Sequence, residues 1–139
     1  MAAMSNYLEA ALLNHLFRGT AFSQPADIYI ALCTAAPSDT STGSTLTETS
    51  GTGYARLQVG RGNGIWDAPG TNGTTQNTAA ISFPAAGGNW SGPITHIALV
   101  DAATNGNVLF YGALSTGKTI TSGDVFQFDI GQLAIQIDN

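Results

Sequence analysis

Ile94-Thr95-His96-Ile97-Ala98-Leu99-Val100 is followed by Asp101-Ala102-Ala103-Thr104-Asn105-Gly106-Asn107 and then by Val108-Leu109-Phe110-Tyr111. Two apolar runs flank a turn that ends in Asn-Gly, the pair that most readily adopts the positive φ values of a tight hairpin. This stretch predicts two antiparallel strands, the second running from Val108 to Leu114. Working outward, Ile28, Ile30 and Leu32 alternate with Tyr29, Ala31 and Cys33, the pattern of a strand that is apolar on both faces. Further short strands are predicted over Tyr54–Val59, Thr78–Phe83, Lys118–Thr121, Val125–Ile130 and Leu133–Ile137, the last two closing the chain as a pair.

Only the first twenty residues carry a helical period. Asn6 and Glu9 have the spacing of a capping box. Leu8, Leu12 and Leu16 recur every four residues beside Ala11 and His15, and Leu13 and Phe17 add a second apolar strip, which predicts a helix buried on two sides. Gly19 is placed to end it. The expected fold is all-β: a single β-sandwich, jelly-roll-like, of about seven to eight short antiparallel strands with one N-terminal α-helix. One domain is expected over 1–139, with the helix in 1–19 and the sandwich in 27–139. Two long loops interrupt it: 36–53, rich in Ser, Thr and Gly and read as exposed, and 60–76, dense in Gly and Asn with Trp66 as its one large anchor.

Composition narrows the function. Of 139 residues, 43% are hydrophobic, enough for a packed core, but only 9% are charged, against roughly 25% in an average soluble protein. The polar surface must therefore come from Thr, Ser, Asn and Gly, which suit turns and strand faces better than helices. The net charge is −5, and the four Lys and Arg residues are spread along the chain, which argues against nucleic-acid binding. No apolar stretch is long enough for a transmembrane helix, and the first residues lack the pattern of a secretory signal. Cys33 is the only cysteine, so no internal disulfide is expected.

One motif looks like chemistry. Gly112-Ala113-Leu114-Ser115-Thr116-Gly117-Lys118-Thr119 spells the phosphate-binding P-loop pattern. That mechanism needs a helix directly after the loop, whose N-terminal amides hold the phosphates. The continuation Ile120-Thr121-Ser122-Gly123-Asp124-Val125 is β-branched and Gly-punctuated, so a turn between antiparallel strands is the better reading. Gly60-Arg61-Gly62-Asn63-Gly64 also lacks the strand-to-helix context and reads as loop. His15, His96 and Cys33 cannot close a structural zinc site without carboxylates. A Cys33–His96–Asp101 triad can be drawn on paper, but nothing in the spacing requires it. Asp101, Asp124 and Asp138 fall at strand ends and read as turn residues. No catalytic, cofactor-binding or metal-binding residue is assigned, and no enzymatic activity is expected. The candidate interface residues are Leu8, Leu12 and Leu16 on the helix and Trp66 and Trp90 in the loops. Trp66, Tyr54 and Trp90 also suggest, as a minor alternative, a carbohydrate-binding domain.

Several stretches together carry a resemblance. They are Ser5-Asn6-Tyr7-Leu8-Glu9, Ile28-Tyr29-Ile30-Ala31-Leu32 with Thr34-Ala35-Ala36-Pro37-Ser38-Asp39, and Gly53-Tyr54-Ala55-Arg56. Ile81-Ser82-Phe83-Pro84-Ala85-Ala86, Trp90 ahead of Thr95-His96, Asp101-Ala102-Ala103-Thr104-Asn105-Gly106-Asn107 and Lys118-Thr119-Ile120 complete them. In this order they resemble a family of small virion proteins of tailed bacteriophages, known as tail-fibre-like proteins or capsid cement (decoration) proteins. The resemblance implies a structural part assembled in the host bacterial cytoplasm and resident in the virion. Its implied partner is the major capsid protein, or a tail protein, of the same phage, and its implied state is a homo-oligomer, a trimer above all. A cement protein that stabilises the head lattice is the first expectation. A tail fibre, fibre adaptor or receptor-binding tail component is the alternative.

Overall fold

The computed structural model describes residues 2–137; Asp138 lies outside them. The body is built on a five-stranded antiparallel sheet. Its centre is β2 (Tyr29–Cys33) paired with β6 (Ile94–Val100), and β6 pairs in turn with β7 (Val108–Lys118). β3 (Leu57–Gln58) lies outside β2, and β1 (Ala3–Met4), ahead of the helix, pairs with Phe110 and Tyr111 of β7. The hairpin read from the sequence is thus the spine of the fold. Its turn carries Asn105 at φ 54° and Gly106 at φ 76°.

The second layer is not a continuous sheet. It consists of two ribbons: β4 (Thr74–Gln76) with β9 (Ala134–Gln136), and β5 (Ile81–Ser82) with β8 (Gln127–Phe128). The arrangement is sandwich-like and mostly antiparallel strand, with one short helix near its start. The two C-terminal segments expected to pair with each other instead take separate partners. The cause is Asn77, buried at the corner between them. Its side-chain amide donates to the carbonyls of Ala79 and Asp129, and its Oδ1 accepts from the Leu133 N–H. Its own carbonyl accepts from Gly131 N–H, so the chain turns away at 129–133 rather than folding into a hairpin.

Pleating sorts the side chains of the large sheet by size. Ile30, Leu32, Ile94, Ile97 and Leu99 face the ribbons and pack against Ile81, Phe83, Phe126, Phe128, Leu133 and Ile135. Phe126 stands edge-on to both Phe83 and Phe128, at ring separations of 5.7 and 5.3 Å. The opposite face carries the small residues Ala31, Cys33 and Ala98 with Val100 and Val108. Small side chains there let the 36–53 segment lie close: Thr49 N–H donates to Leu32 O, Thr34 N–H to Thr47 O, and Leu46 packs on the cluster.

The helix, α1, spans Asn6–Phe17, and its N-cap is Ser5 rather than Asn6. Ser5 is fully buried; its hydroxyl donates to Val108 O and accepts from Leu8 N–H, so one side chain both caps the helix and fixes it to β7. Gly19, at φ 70°, follows the helix as the sequence suggested. The expectation of burial on two sides fails. Leu8 alone is buried, while Leu13, Leu16 and Phe17 are 58%, 69% and 79% exposed. The helix meets the body mainly along β7 and at Asp39, too narrow a platform to cover both strips.

Asn77→Ala would strip three hydrogen bonds from a buried corner and leave their partners unsatisfied. We expect a loss of unfolding free energy on the order of 2–4 kcal/mol, measured by denaturant titration; a loss below 0.5 kcal/mol would remove Asn77 as the cause of the strand exchange.

Candidate functional site

The most heavily bonded side chain is Arg56, just before β3. Its guanidinium is only 4% exposed, and each N–H direction has an acceptor. Nε and Nη2 bind Glu48 Oε1 at 2.9 and 2.5 Å. The other Nη2 bond goes to Gly43 O at 2.7 Å, and Nη1 binds the carbonyls of Ala102 and Asn105 at 3.0 and 2.8 Å. Glu48 Oε2 accepts from the Tyr54 hydroxyl, which itself accepts from Leu32 N–H. Burial, with Glu48 beside it, pushes the Tyr54 phenol well above its usual range. The cluster welds the loop at 43–48 to the hairpin turn at 101–107. Gly43 has no room for a side chain, since a Cβ would meet the Asn105 carbonyl oxygen at 1.7 Å. Sequence reading missed this cluster because its parts lie eight to forty-nine residues apart.

The drawn triad is not assembled. Cys33 and His96 are partners across β2 and β6, but Asp101 sits at the far end of β6 with both carboxylate oxygens on Asn107. Burial and then the Glu48 carboxylate push the Cys33 thiol up to about 12, so it holds its proton and is no nucleophile. His96 Nδ1 pairs with Thr95 Oγ1 at 2.8 Å, and His15 Nδ1 accepts from Phe22 N–H on the surface. Among the described residues no group of three or more His, Cys, Asp or Glu side chains is placed to hold a metal ion. None of their helices is long and apolar enough to cross a membrane.

The P-loop spelling is the bulged end of β7, beyond the residues that pair with β1. Gly112 and Ala113 pair with Ile97 and His96, Lys118 pairs with Ile94, and Leu114–Gly117 bulge out opposite Thr95. A turn follows rather than a helix: Asp124 Oδ2 accepts from the N–H and hydroxyl of Thr121, and these bonds hold the Asp124 carboxyl below its usual range. The adjoining hollow, of about 390 Å³, has Asp129 on its wall, where a phosphate would meet a carboxylate. Gly60–Gly64 is likewise held as loop, with Arg61 bound to Ala26 O and Gln24.

The candidate interface residues divide. Leu8 and Trp90 are buried, at 7% and 5% exposure. Trp90 packs edge-on to Tyr54 at 5.3 Å and donates to Thr52 O, so neither ring is free to stack on a sugar. Leu12 is half-buried and Leu16 exposed. Trp66, half-buried and donating to Gly60 O, lines an open cleft of about 760 Å³ with Pro69, Phe110, Ile135 and Ile137. Among the apolar features of the described surface are the outer face of α1 and this cleft.

Two outcomes follow from the buried cluster. Arg56→Met leaves Glu48 charged and unpaired, and should cost about 3–5 kcal/mol of stability, with Arg56→Lys in between because an ammonium cannot span the same acceptors. For Cys33 the folded pKa is raised above 9.0, so its contribution is complete below 9.0 and is lost as pH climbs towards about 12. Alkylation at mildly alkaline pH should therefore be slow in the folded protein and fast after denaturation; equal rates would contradict the buried, protonated thiol.

Among curated proteins no match is found. A family model described as podophage GP4 fiber I protein gp80 matches residues 3–136, which is nearly the whole sequence. The strand order, turns and helix described above all fall within that span, and the chain belongs to the podophage GP4 fiber I protein gp80 family, structural proteins of the phage particle.

Proposed function

We propose that this chain is a compact building block of a fibre on the podophage virion, present in several copies and attached to a tail protein of the same phage. The observation that carries this reading is the outer face of α1. A family of particle proteins supplies the setting, and an apolar helix face left in water supplies a surface made for a neighbour. The body behind it is fastened by Arg56 between the loop and the hairpin turn and by Asn77 at the corner of the ribbons, which suits a part that bears load. A symmetric homo-oligomer, a trimer first, fits such a part.

The second reading is a cement protein bound to the major capsid protein. It is favoured by the shape of the described residues, whose short strands make a block that would seat on a lattice.

Quantitative mass spectrometry of purified particles separates the two. A fibre part should be present at a small fraction of the major capsid protein. A ratio near one per capsid subunit would overturn the fibre reading in favour of cement, and absence from particles would overturn both.

A further inference from the structure

Two surfaces have no use within a single copy. On α1, Tyr7, Ala10, Leu13 and Phe17 fall in one row at helical spacing, with Leu16 beside them, and all point to solvent. Tyr7, Leu13, Leu16 and Phe17 are 42% to 79% exposed. The second surface is the cleft formed by Trp66, Pro69, Phe110, Ile135 and Ile137, of about 760 Å³, with Ile137 itself 61% exposed.

The two surfaces lie on opposite sides of the sheet. Asn6 N–H at the start of the helix donates to Asp39 O, and the Asp39 carboxylate accepts from the Tyr111 hydroxyl. Tyr111 belongs to the face with the small residues, whereas its neighbour Phe110 packs with the large core and lines the cleft. A helix tied to one face cannot place its outer row in a cleft on the other, so the two can meet only between molecules. Their charges also match. Arg18, directly after Phe17, is exposed, and the one ion pair among the described residues is Arg56–Glu48. Asp67 borders the cleft with Oδ1 bound to Gln76 N–H and Thr75, while among the described residues no bond engages Oδ2.

We propose that copies of this chain join head to tail, the Leu13, Leu16 and Phe17 end of one helix seated in the Trp66–Ile137 cleft of the next, with Arg18 facing Asp67. The proposal rests on the reading of the chain as a repeated particle component, and it names the contact. Such a contact uses two different patches, so it closes into a ring or extends as a filament. A ring of three is the form that agrees with the trimer proposed above.

The test is sedimentation of the full chain and two variants at surface positions, Phe17→Asp on the helix and Ile137→Asp in the cleft, with circular dichroism confirming that both are folded. The wild type should associate, and each variant alone should be monomeric. Mixed in equal amounts they should recover a heterodimer, because the intact helix of one meets the intact cleft of the other. A wild type that stays monomeric at high micromolar concentration would overturn the contact, as would association that survives both substitutions, or folded variants that do not complement. If the chain is counted in particles yet is monomeric in solution, this contact fails while the structural role stands; if it is absent from particles, the structural role itself fails.

Discussion

The guanidinium of Arg56 is the constraint on which the shape of this molecule depends. A buried cation is costly unless its charge is balanced and each donor is used. Here Glu48 supplies the charge, and the carbonyls of Gly43, Ala102 and Asn105 supply the remaining acceptors. Those acceptors exist only if the 36–53 segment crosses the back of the sheet and the hairpin turn closes over it. The backbone must also come very near, which is why a glycine stands at 43 and another at 106, where a Cβ would lie 2.5 Å from the Asp101 carboxylate. One side chain thereby converts two loops into a fixed end of the body. The same requirement explains the small residues of the back face, since Ala31 and Ala98 leave space for the loop to lie against them.

With that end fixed, the apolar surface that remains is easy to locate. The large core between the sheet and the ribbons is closed, and the polar loops are bound to themselves by short Ser and Thr hydrogen bonds. Besides the separate side chains of Val125 and Ile130, what is left over among the described residues is the outer row of α1 and the Trp66 cleft. In an isolated soluble protein such surface is a liability; in a particle part it is where the neighbour goes. The scarcity of charge, at 9% of residues, means that few ions lose their water when such contacts form.

Much of the fold was legible in the sequence because its signals are local. The Asn105-Gly106 turn between alternating runs, the two-faced strand at Tyr29–Cys33 and the glycine after the helix each declare themselves within a few residues. The resemblance to phage particle proteins also ran along most of the chain. What escaped was non-local. Arg56 looks like any polar residue in an alternating strand, and its partners come from distant turns. The pairing of β4 with β9 depends on a single buried asparagine, Asn77, which fell between the loop read over 60–76 and the strand read from Thr78. The leucines of α1 show why periodicity cannot identify what covers a face: Leu8 is buried in the body and Leu16 is in water, although both sit on the same helical repeat.

The proposed place of this chain in the phage fibre is tested most directly by cryo-electron microscopy of particles assembled with and without it. Particles lacking the chain should keep intact, filled heads and lose density at the fibres, and the missing density should fit a multi-copy assembly of this body. Particles whose fibres are unchanged, or whose loss of density lies over the head lattice instead, would contradict it.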